Sequence, residues 1–228
     1  MSGIAENLDE IRDRIASATA ASGRDRAAVQ LVAVSKNHSV AAIQEAINAG
    51  HTRFGENIAQ EAAMKIAALA MENVEWHFIG RVQSNKTGQL AKNFHWVQSV
   101  DRIKIAERLN ASRPAGIPAL NVCIQVNLDQ EASKVGLLDV GAVLEMAGKI
   151  SAMENLRLRG IMAIPPFSQD VGIQQERFRK VKKVYKALRA SYPDIDTLSM
   201  GMTADFEAAI QEGSTMIRIG TAIFGTRG

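Results

Sequence analysis

A chain of 228 residues is long enough to bury a substantial core, and α/β barrels often use this length as a single domain. Hydrophobic residues at 46% and charged residues at 22% are typical of a soluble globular protein. The formal charge of +3 comes without a stripe of Lys and Arg interleaved with aromatics, and aromatics reach only 5%, so the composition argues against nucleic-acid binding.

The signals for cellular compartment favour the cytoplasm. Cys123 is the only cysteine, so no internal disulfide forms, and its apolar surroundings favour a core residue over a nucleophile. The N-terminal segment MSGIAENLDEIRDRI lacks the basic start and apolar block of a signal peptide. No apolar run approaches the roughly 18 residues that a membrane span needs. We therefore expect a cytoplasmic protein that does not associate with membranes.

The predicted elements alternate between helices and strands along the chain. An amphipathic helix opens it, with Ile4, Leu8 and Ile11 at spacings of three and four. Apolar runs then predict strands over residues 29–35, 51–57, 74–80, 96–100, 118–128, 156–164, 195–201 and 216–220. The helices predicted after these strands cover residues 39–50, 58–71, 84–93, 101–110, 137–151, 174–191 and 203–213, with a last turn over 221–225.

This order amounts to roughly eight β/α units, each near the length that a parallel crossover requires. The strands are mostly apolar throughout, as expected when both faces of a parallel sheet are covered. A doubly wound open sheet is the competing fold, but it usually has fewer strands and a glycine-rich first turn, whereas the first turn here is SKNHS. We predict a single TIM-type (β/α)8 barrel domain over residues 1–228, with an extra N-terminal helix.

In such barrels the functional site lies at the C-terminal ends of the strands. Several polar groups and glycines occupy the predicted ends in this chain. They are Lys36, Glu56, Asn57, Ile79, Gly80, Asn127, Ala163, Pro165, the segment Ser199 to Met202 and the segment Arg218 to Thr221. Any barrel places some polar groups there, so their chemistry has to be weighed one by one.

Lys36 ends the first predicted strand, in the run LVAVSKN. A lysine close to the apolar barrel is partly desolvated, which disfavours the ammonium and leaves an amine that can attack a carbonyl. The alternative is a solvated lysine on the rim whose amine simply reaches water. Position alone does not decide between the two.

We expect two glycine turns, after the last two predicted strands, to face this lysine. The segment LSMGMT places Ser199 and Gly201 just before a helix, and RIGT places Gly220 and Thr221 before the last turn. Glycine lets backbone N–H groups approach a ligand closely, and the last two loops are the recurrent phosphate position in this fold. Together with the lysine, the turns indicate a ligand that carries a phosphate and an aldehyde. A phosphorylated sugar and pyridoxal phosphate both meet that description.

Arg218 favours the second of these ligands. It lies two residues before Gly220 on the last strand, so the two share a face, and an inward arginine needs a partner. A pyridine nitrogen is a suitable partner. Enzymes that use pyridoxal phosphate as a strong electron sink usually place a carboxylate there, whereas an arginine leaves the nitrogen unprotonated and weakens the sink. The alternative is a surface arginine paired with an acid.

Several quoted motifs together resemble those of the pyridoxal phosphate homeostasis proteins, relatives of the N-terminal barrel of alanine racemase. The motifs are AVSKN, FGEN, WHFIGRVQSNK, NVCIQVN, LRLRGIMAIPP, LSMGMTADFEAAI and GSTMIRIGTAIFGTR, and the resemblance runs from Leu31 to Arg227. It departs at Asn37 and His38 after the lysine and at Ile58 after FGEN, which affects the rim of the pocket.

The resemblance implies a Schiff base between Lys36 and pyridoxal 5′-phosphate, with Asn57 beside the ring and Arg218 at its nitrogen. It also implies a phosphate held by Ser199, Gly220 and Thr221, with the backbone of Met200 to Met202 lining the pocket. The cofactor-binding residues that we predict are therefore Lys36, Asn57, Ile79, Ser199, Met200, Gly201, Met202, Arg218, Gly220 and Thr221. We predict no catalytic residue and, since the histidines lack metal-ligand spacing, no metal site.

The resemblance also implies a role in vitamin B6 and amino-acid homeostasis without robust catalysis, with PLP-dependent apo-enzymes as possible recipients of the cofactor. Alternatives are a racemase-like enzyme and a Schiff-base aldolase acting on a phosphorylated sugar. Alanine racemases use a tyrosine base and a second, β-rich domain, which we do not find here, and Tyr185 and Tyr192 fall in or after a long helix. A monomer or weak homodimer is expected.

Two features of the sequence each allow two interpretations. His77 is either a packed, hydrogen-bonded residue, which we favour, or part of the pocket, since a lone histidine specifies nothing. The basic residues between 177 and 189 form one outer helix face, which is most simply a solvated face. A docking surface for a protein that accepts the cofactor is the second interpretation of this helix.

Overall fold

The computed structural model describes residues 3–70, 73–128 and 136–225. Its strands are β1 (Gln30–Val34), β2 (Arg53–Glu56), β3 (Glu75–Phe78), β4 (Trp96–Val100), β5 (Leu120–Val126), β6 (Leu156–Ala163), β7 (Thr197–Ser199) and β8 (Met216–Ile219). Its α-helices are α1 (Ile4–Ala21), α2 (Val40–Asn48), α3 (Ala59–Leu69), α4 (Thr87–Asn93), α5 (Ile103–Ser112), α6 (Val140–Ser151), α7 (Val171–Ser191), α8 (Phe206–Gln211) and α9 (Thr221–Phe224). Short 3₁₀ turns cover Arg26–Ala28 and Ser84–Lys86.

The strands form a closed barrel in the order β1 to β8, and every neighbouring pair is parallel. The last strand returns to the first, with Arg218 on β8 opposite Val32 on β1. Closure leaves no unpaired sheet edge. The predicted TIM-type barrel with an extra N-terminal helix is confirmed.

Most strands are shorter than the apolar runs that predicted them. The run 195–201 predicts a longer strand than β7, which has three residues, Thr197–Ser199. Residues just beyond the regular strands still bond to the neighbouring strand, as the Met200 amide does to the Met216 carbonyl at 3.1 Å, so the apolar runs extend past the assigned ends. Hydrophobic pattern therefore locates a strand well and its ends poorly.

The core has two parts. Outward-facing strand residues such as Phe54 and Trp76 pack beneath the surrounding helices. Inside the barrel lies a smaller apolar cluster of Val32, Trp96, Cys123, Met162 and Met216. Burial raises the pKa of the Cys123 thiol to about 12, which fits the predicted core residue and not a nucleophile.

The N-terminal helix α1 packs against α2, α8 and α9. Leu8, Ile11 and Ile15 supply its buried stripe, as the sequence spacing predicts. In the part of the chain that the structure describes, no helix combines the length and apolarity required to cross a membrane.

Candidate functional site

Lys36 lies in the loop directly after β1, at the C-terminal mouth of the barrel. Ser35 before it is fully buried, whereas Lys36 itself is partly exposed. Asn37 after it adopts a left-handed conformation with φ of 62°, and its amide donates to Glu61 Oε1 at 2.8 Å. Among the described residues, the Lys36 amine has no hydrogen bond or ion pair. The amine is therefore available to a ligand in the mouth.

A buried ionic cluster holds this loop from below. The ammonium of Lys65 on α3 donates to the carbonyl of Ser35 at 2.8 Å, to Glu56 Oε1 at 2.9 Å and to Glu61 Oε1 at 2.5 Å. The hydroxyl of Ser35 also donates to Glu56 Oε1, at 2.6 Å. We call Ser35, Glu56, Glu61 and Lys65 the loop clamp. It fixes the backbone on both sides of Lys36, since it binds residue 35 and residue 37.

Lys65 carries no signal in the sequence that marks it for this role. Its side chain is buried beside the fully buried Glu56. Burial raises the pKa of Glu56 despite its hydrogen bonds from Ser35 and Lys65. The one sequence signal was the spacing of Glu61 and Lys65, four residues apart on a helix. That spacing is common on exposed helix faces, so it does not reveal a buried clamp.

The ends of β2 and β3 approach each other closely beside the clamp. A Cβ on Gly80 would lie 2.3 Å from the carbonyl oxygen of Asn57, so only glycine fits there. Ile79 reaches over Gly55, where a Cβ would lie 3.3 Å from Ile79 Cδ1. Asn57 Oδ1 and Glu56 Oε2 are buried oxygens without a hydrogen-bond partner in the described structure. The Asn57 oxygen follows the end of β2 and lines a cleft, so a ligand could supply its donor, whereas Glu56 belongs to the buried loop clamp.

The loop after β7 contains Met200, Gly201 and Met202. Gly201 has φ of +99°, and a Cβ there would lie 2.7 Å from Ala209 Cβ, so this turn requires glycine. Its carbonyl accepts the amide of Arg218 at 3.0 Å, which ties the β7 loop to β8. Met200 is buried, while Met202 is exposed and its amide donates to Asp205 Oδ1 at 2.7 Å.

Gly220 and Thr221 form the turn from β8 into α9. A Cβ on Gly220 would lie 3.3 Å from the carbonyl oxygen of Val34, the last residue of β1. Because Ala33 and Ile219 are paired, the residues after both strands emerge side by side. The structure thus brings the predicted phosphate turn next to the Lys36 loop.

Arg218 is buried inside the barrel and not on its surface. Its Nη1 donates to Ser199 Oγ at 2.6 Å and its Nη2 donates to the Ala163 carbonyl at 3.0 Å. Burial lowers its pKa to about 10, with Asp205 acting in the opposite direction. At that pKa the guanidinium stays charged at neutral pH.

Ser199 is placed differently from a simple phosphate ligand. It is fully buried, and its hydroxyl accepts from Arg218 and donates to Gln98 Oε1 at 2.7 Å. His77 is fully buried as well, and its ring stacks on Trp96 with centroids 5.2 Å apart. The structure therefore supports the packed, hydrogen-bonded interpretation of His77, although its ring also contacts Gln98.

The remaining predicted features lie away from Lys36 or contribute through the backbone. Ala163 supplies its carbonyl to Arg218, and Asn127 donates its amide to Leu137. The Tyr185 hydroxyl lies 3.5 Å from the Ile195 carbonyl, while Tyr192 lies with Leu156 at the N-terminal end of β6. Neither tyrosine reaches the mouth.

On the basic face of α7, the side chains of Arg179 and Lys182 form ion pairs with Glu212, which is typical of a solvated helix face. Across the described ranges, no group of His, Cys, Asp and Glu side chains has the arrangement of a metal site.

The chain is similar to known proteins over nearly its whole length. The model of the family "Alanine racemase, N-terminal domain" matches residues 6–228. A pyridoxal phosphate homeostasis protein from Pseudomonas aeruginosa is 51% identical over 229 residues, covering 100% of this chain and 97% of the relative.

Solved structures are also similar to the chain over nearly its full length. PipY of Synechococcus elongatus, determined without PLP, superimposes with a TM-score of 0.87 at 36% identity, covering 97% of this chain and 100% of PipY. Its structure with PLP bound gives a TM-score of 0.84 at 35% identity, with the same coverage. The family match over residues 6–228 and the near full-length similarity to a named relative show that the chain belongs to the pyridoxal phosphate homeostasis proteins, within the alanine racemase N-terminal domain family.

Proposed function

We propose that the chain binds pyridoxal 5′-phosphate through a Schiff base with Lys36 and acts in intracellular PLP and amino-acid homeostasis, without robust catalysis. The observation that carries the proposal is the unpaired Lys36 amine on a clamped loop at the barrel mouth. The full-length similarity to named homeostasis proteins, and to a PLP-bound neighbour, supports it.

The residues around the mouth fit this cofactor. The orphaned oxygen of Asn57 needs a donor, and Gly201 and Gly220 let the two turns pack closely against their neighbours beside the Lys36 loop. When bound, the cofactor supplies an aldehyde that condenses with the Lys36 amine, releasing water, and a ring that can withdraw electrons.

We assign the other residues by position. Met200 to Met202, Gly220 and Thr221 are proposed to hold the phosphate through their loops, and Asn57 and Ile79 to flank the ring. Arg218 is proposed to donate to the ring nitrogen. Ser199 acts through Arg218 in this proposal, because its buried hydroxyl is already engaged.

Two features favour a bound cofactor without robust catalysis over the racemase-like alternative. An arginine donor leaves the ring nitrogen unprotonated, which weakens electron withdrawal. The two tyrosines of the chain lie away from the mouth, so neither is placed as a second base. We propose that the cofactor is held and released to PLP-dependent apo-enzymes by a single-domain monomer or weak homodimer.

The test combines binding and turnover. Titrating the purified protein with PLP should produce the yellow absorption of a protein-bound imine at a stoichiometry of about one per chain. Incubating the saturated protein at high concentration with single-enantiomer amino acids should give no racemisation beyond that of free PLP. A protein that shows no spectral change with PLP would contradict cofactor binding, while fast racemisation would favour the enzyme.

A further inference from the structure

A continuous chain of hydrogen bonds crosses the interior of the barrel. Arg218 Nη1 donates to Ser199 Oγ at 2.6 Å, and Ser199 Oγ donates to Gln98 Oε1 at 2.7 Å. Gln98 Nε2 lies 2.9 Å from His77 Nδ1, and His77 Nε2 lies 2.9 Å from Glu75 Oε1. We call these five residues the core chain. It joins a guanidinium at the mouth to a carboxylate at the other end of the barrel.

The orientation of the Gln98 amide sets the direction of the protons along the chain. A guanidinium can only donate, so Ser199 accepts from Arg218, and its own hydroxyl proton goes to Gln98 Oε1. The amide oxygen of Gln98 is then the acceptor, and its NH₂ group donates to His77 Nδ1. The imidazole consequently carries its proton on Nε2 and donates to Glu75. All donors therefore point the same way, from Arg218 towards the carboxylate.

Burial and charge favour that arrangement. His77, Gln98 and Ser199 are each fully buried. Burial lowers the pKa of His77 despite the neighbouring Glu75, which keeps the imidazole neutral at neutral pH. Burial acts to raise the pKa of Glu75, but His77 and Arg53 outweigh it and hold the value at about 2. The chain is thus a neutral bridge between one fixed cation and one fixed anion.

The chain is not needed merely to fill the barrel. The interior cluster beside the chain holds Val32, Trp96, Cys123, Met162 and Met216, and apolar side chains fill such a space at lower cost than buried polar groups. Of the five N–H donors of Arg218, two are engaged, by Ser199 and Ala163. Donors therefore remain for a ligand, and the two engaged donors set the rotation of the guanidinium plane.

We propose that Glu75, His77, Gln98 and Ser199 are positioning residues that hold the guanidinium of Arg218 against the ring nitrogen of the cofactor. This inference rests on the proposed function, because it assumes a pyridine ring in the mouth. It assigns a role to His77 and to Gln98, neither of which reaches the ligand. The electronic state of the ring is then set partly from the opposite end of the barrel.

The test uses PLP isotopically labelled at the ring nitrogen, bound to the full-length protein and observed by nitrogen NMR. In Ser199→Ala and Gln98→Met, the ring-nitrogen resonance should move away from its wild-type position, because Arg218 loses its fixed orientation. PLP binding should also become about tenfold weaker, which is the scale of one buried hydrogen bond. Ser199→Thr restores the hydroxyl and should return the resonance towards its wild-type position.

Met162→Leu is the matched control, since it alters the barrel interior without removing a hydrogen bond of the core chain. Glu75→Gln supplies a variant at the half-exposed end of the chain, where little packing is lost, and should give a smaller shift in the same direction. If Ser199→Ala, Gln98→Met and Glu75→Gln all keep the wild-type resonance with PLP bound, the inference is wrong. If the wild-type protein binds no PLP, the proposed function is wrong, and this inference, which rests on it, is wrong as well.

Discussion

Lys36→Ala is expected to abolish the covalent attachment of PLP completely. The amine that would condense with the aldehyde is removed, and Lys65 of the loop clamp cannot replace it, because its ammonium is buried and held by three oxygens. The phosphate turns and Arg218 remain, so weak noncovalent binding should persist. Absorbance during a PLP titration should show no imine band, while equilibrium dialysis still detects bound cofactor.

Two controls accompany this variant. Lys36→Arg keeps the positive charge but cannot form an imine under these conditions, so it separates electrostatic attraction from covalent attachment. Lys86→Ala removes another lysine that lines a cleft beside Asn57, and it should keep the wild-type band. An unchanged imine band in Lys36→Ala would show that a different lysine carries the cofactor.

Lys65→Met should destabilise the fold by about 3–5 kcal/mol, the usual cost of breaking a buried ion pair by removing one partner. The change leaves Glu56 buried, with Ser35 as its remaining hydrogen-bond partner. It also frees the backbone on both sides of Lys36, so imine formation should weaken even where the protein stays folded. Urea unfolding followed by circular dichroism measures the loss of stability.

The pH dependence of the free energy of unfolding and a double variant test whether the buried Glu56 charge causes the loss of stability. Burial already raises the pKa of Glu56, and losing Lys65 raises it further, so the folded state binds a proton more tightly than the unfolded state. The free energy of unfolding then falls as pH rises, and the deficit of Lys65→Met should be larger at about pH 8 than at about pH 5. Lys65→Met with Glu56→Gln removes the buried charge and should recover part of the stability. A deficit independent of pH, with no recovery in the double variant, would contradict this explanation.

The fold could be predicted from sequence because each strand is a separate apolar run between helical segments. The runs 29–35 and 216–220 give two of the eight strands, and closure follows from their number and from parallel connections. The position of Lys36 at the mouth follows from the same reasoning. The strand ends were less predictable, as β7 shows, because apolar residues continue into the loops.

The side-chain pairings of the site could not be predicted in the same way. Ser199 and Gln98 are 101 residues apart, and no local pattern shows that barrel closure places one hydroxyl against one amide. The resemblance implies that Ser199 contacts the phosphate, and in the structure its hydroxyl contacts Arg218 and Gln98. The loop clamp was missed for a related reason, since Lys65 resembles any charged residue on an amphipathic helix.

The central claim is that Lys36 carries the cofactor, and borohydride reduction tests it most directly. The PLP-saturated wild-type protein is reduced to convert the imine into a stable amine, digested, and mapped by mass spectrometry. The account predicts one modified peptide, with the phosphopyridoxyl group on Lys36. A modification found only on other lysines, or none at all after the yellow band has formed, would contradict it.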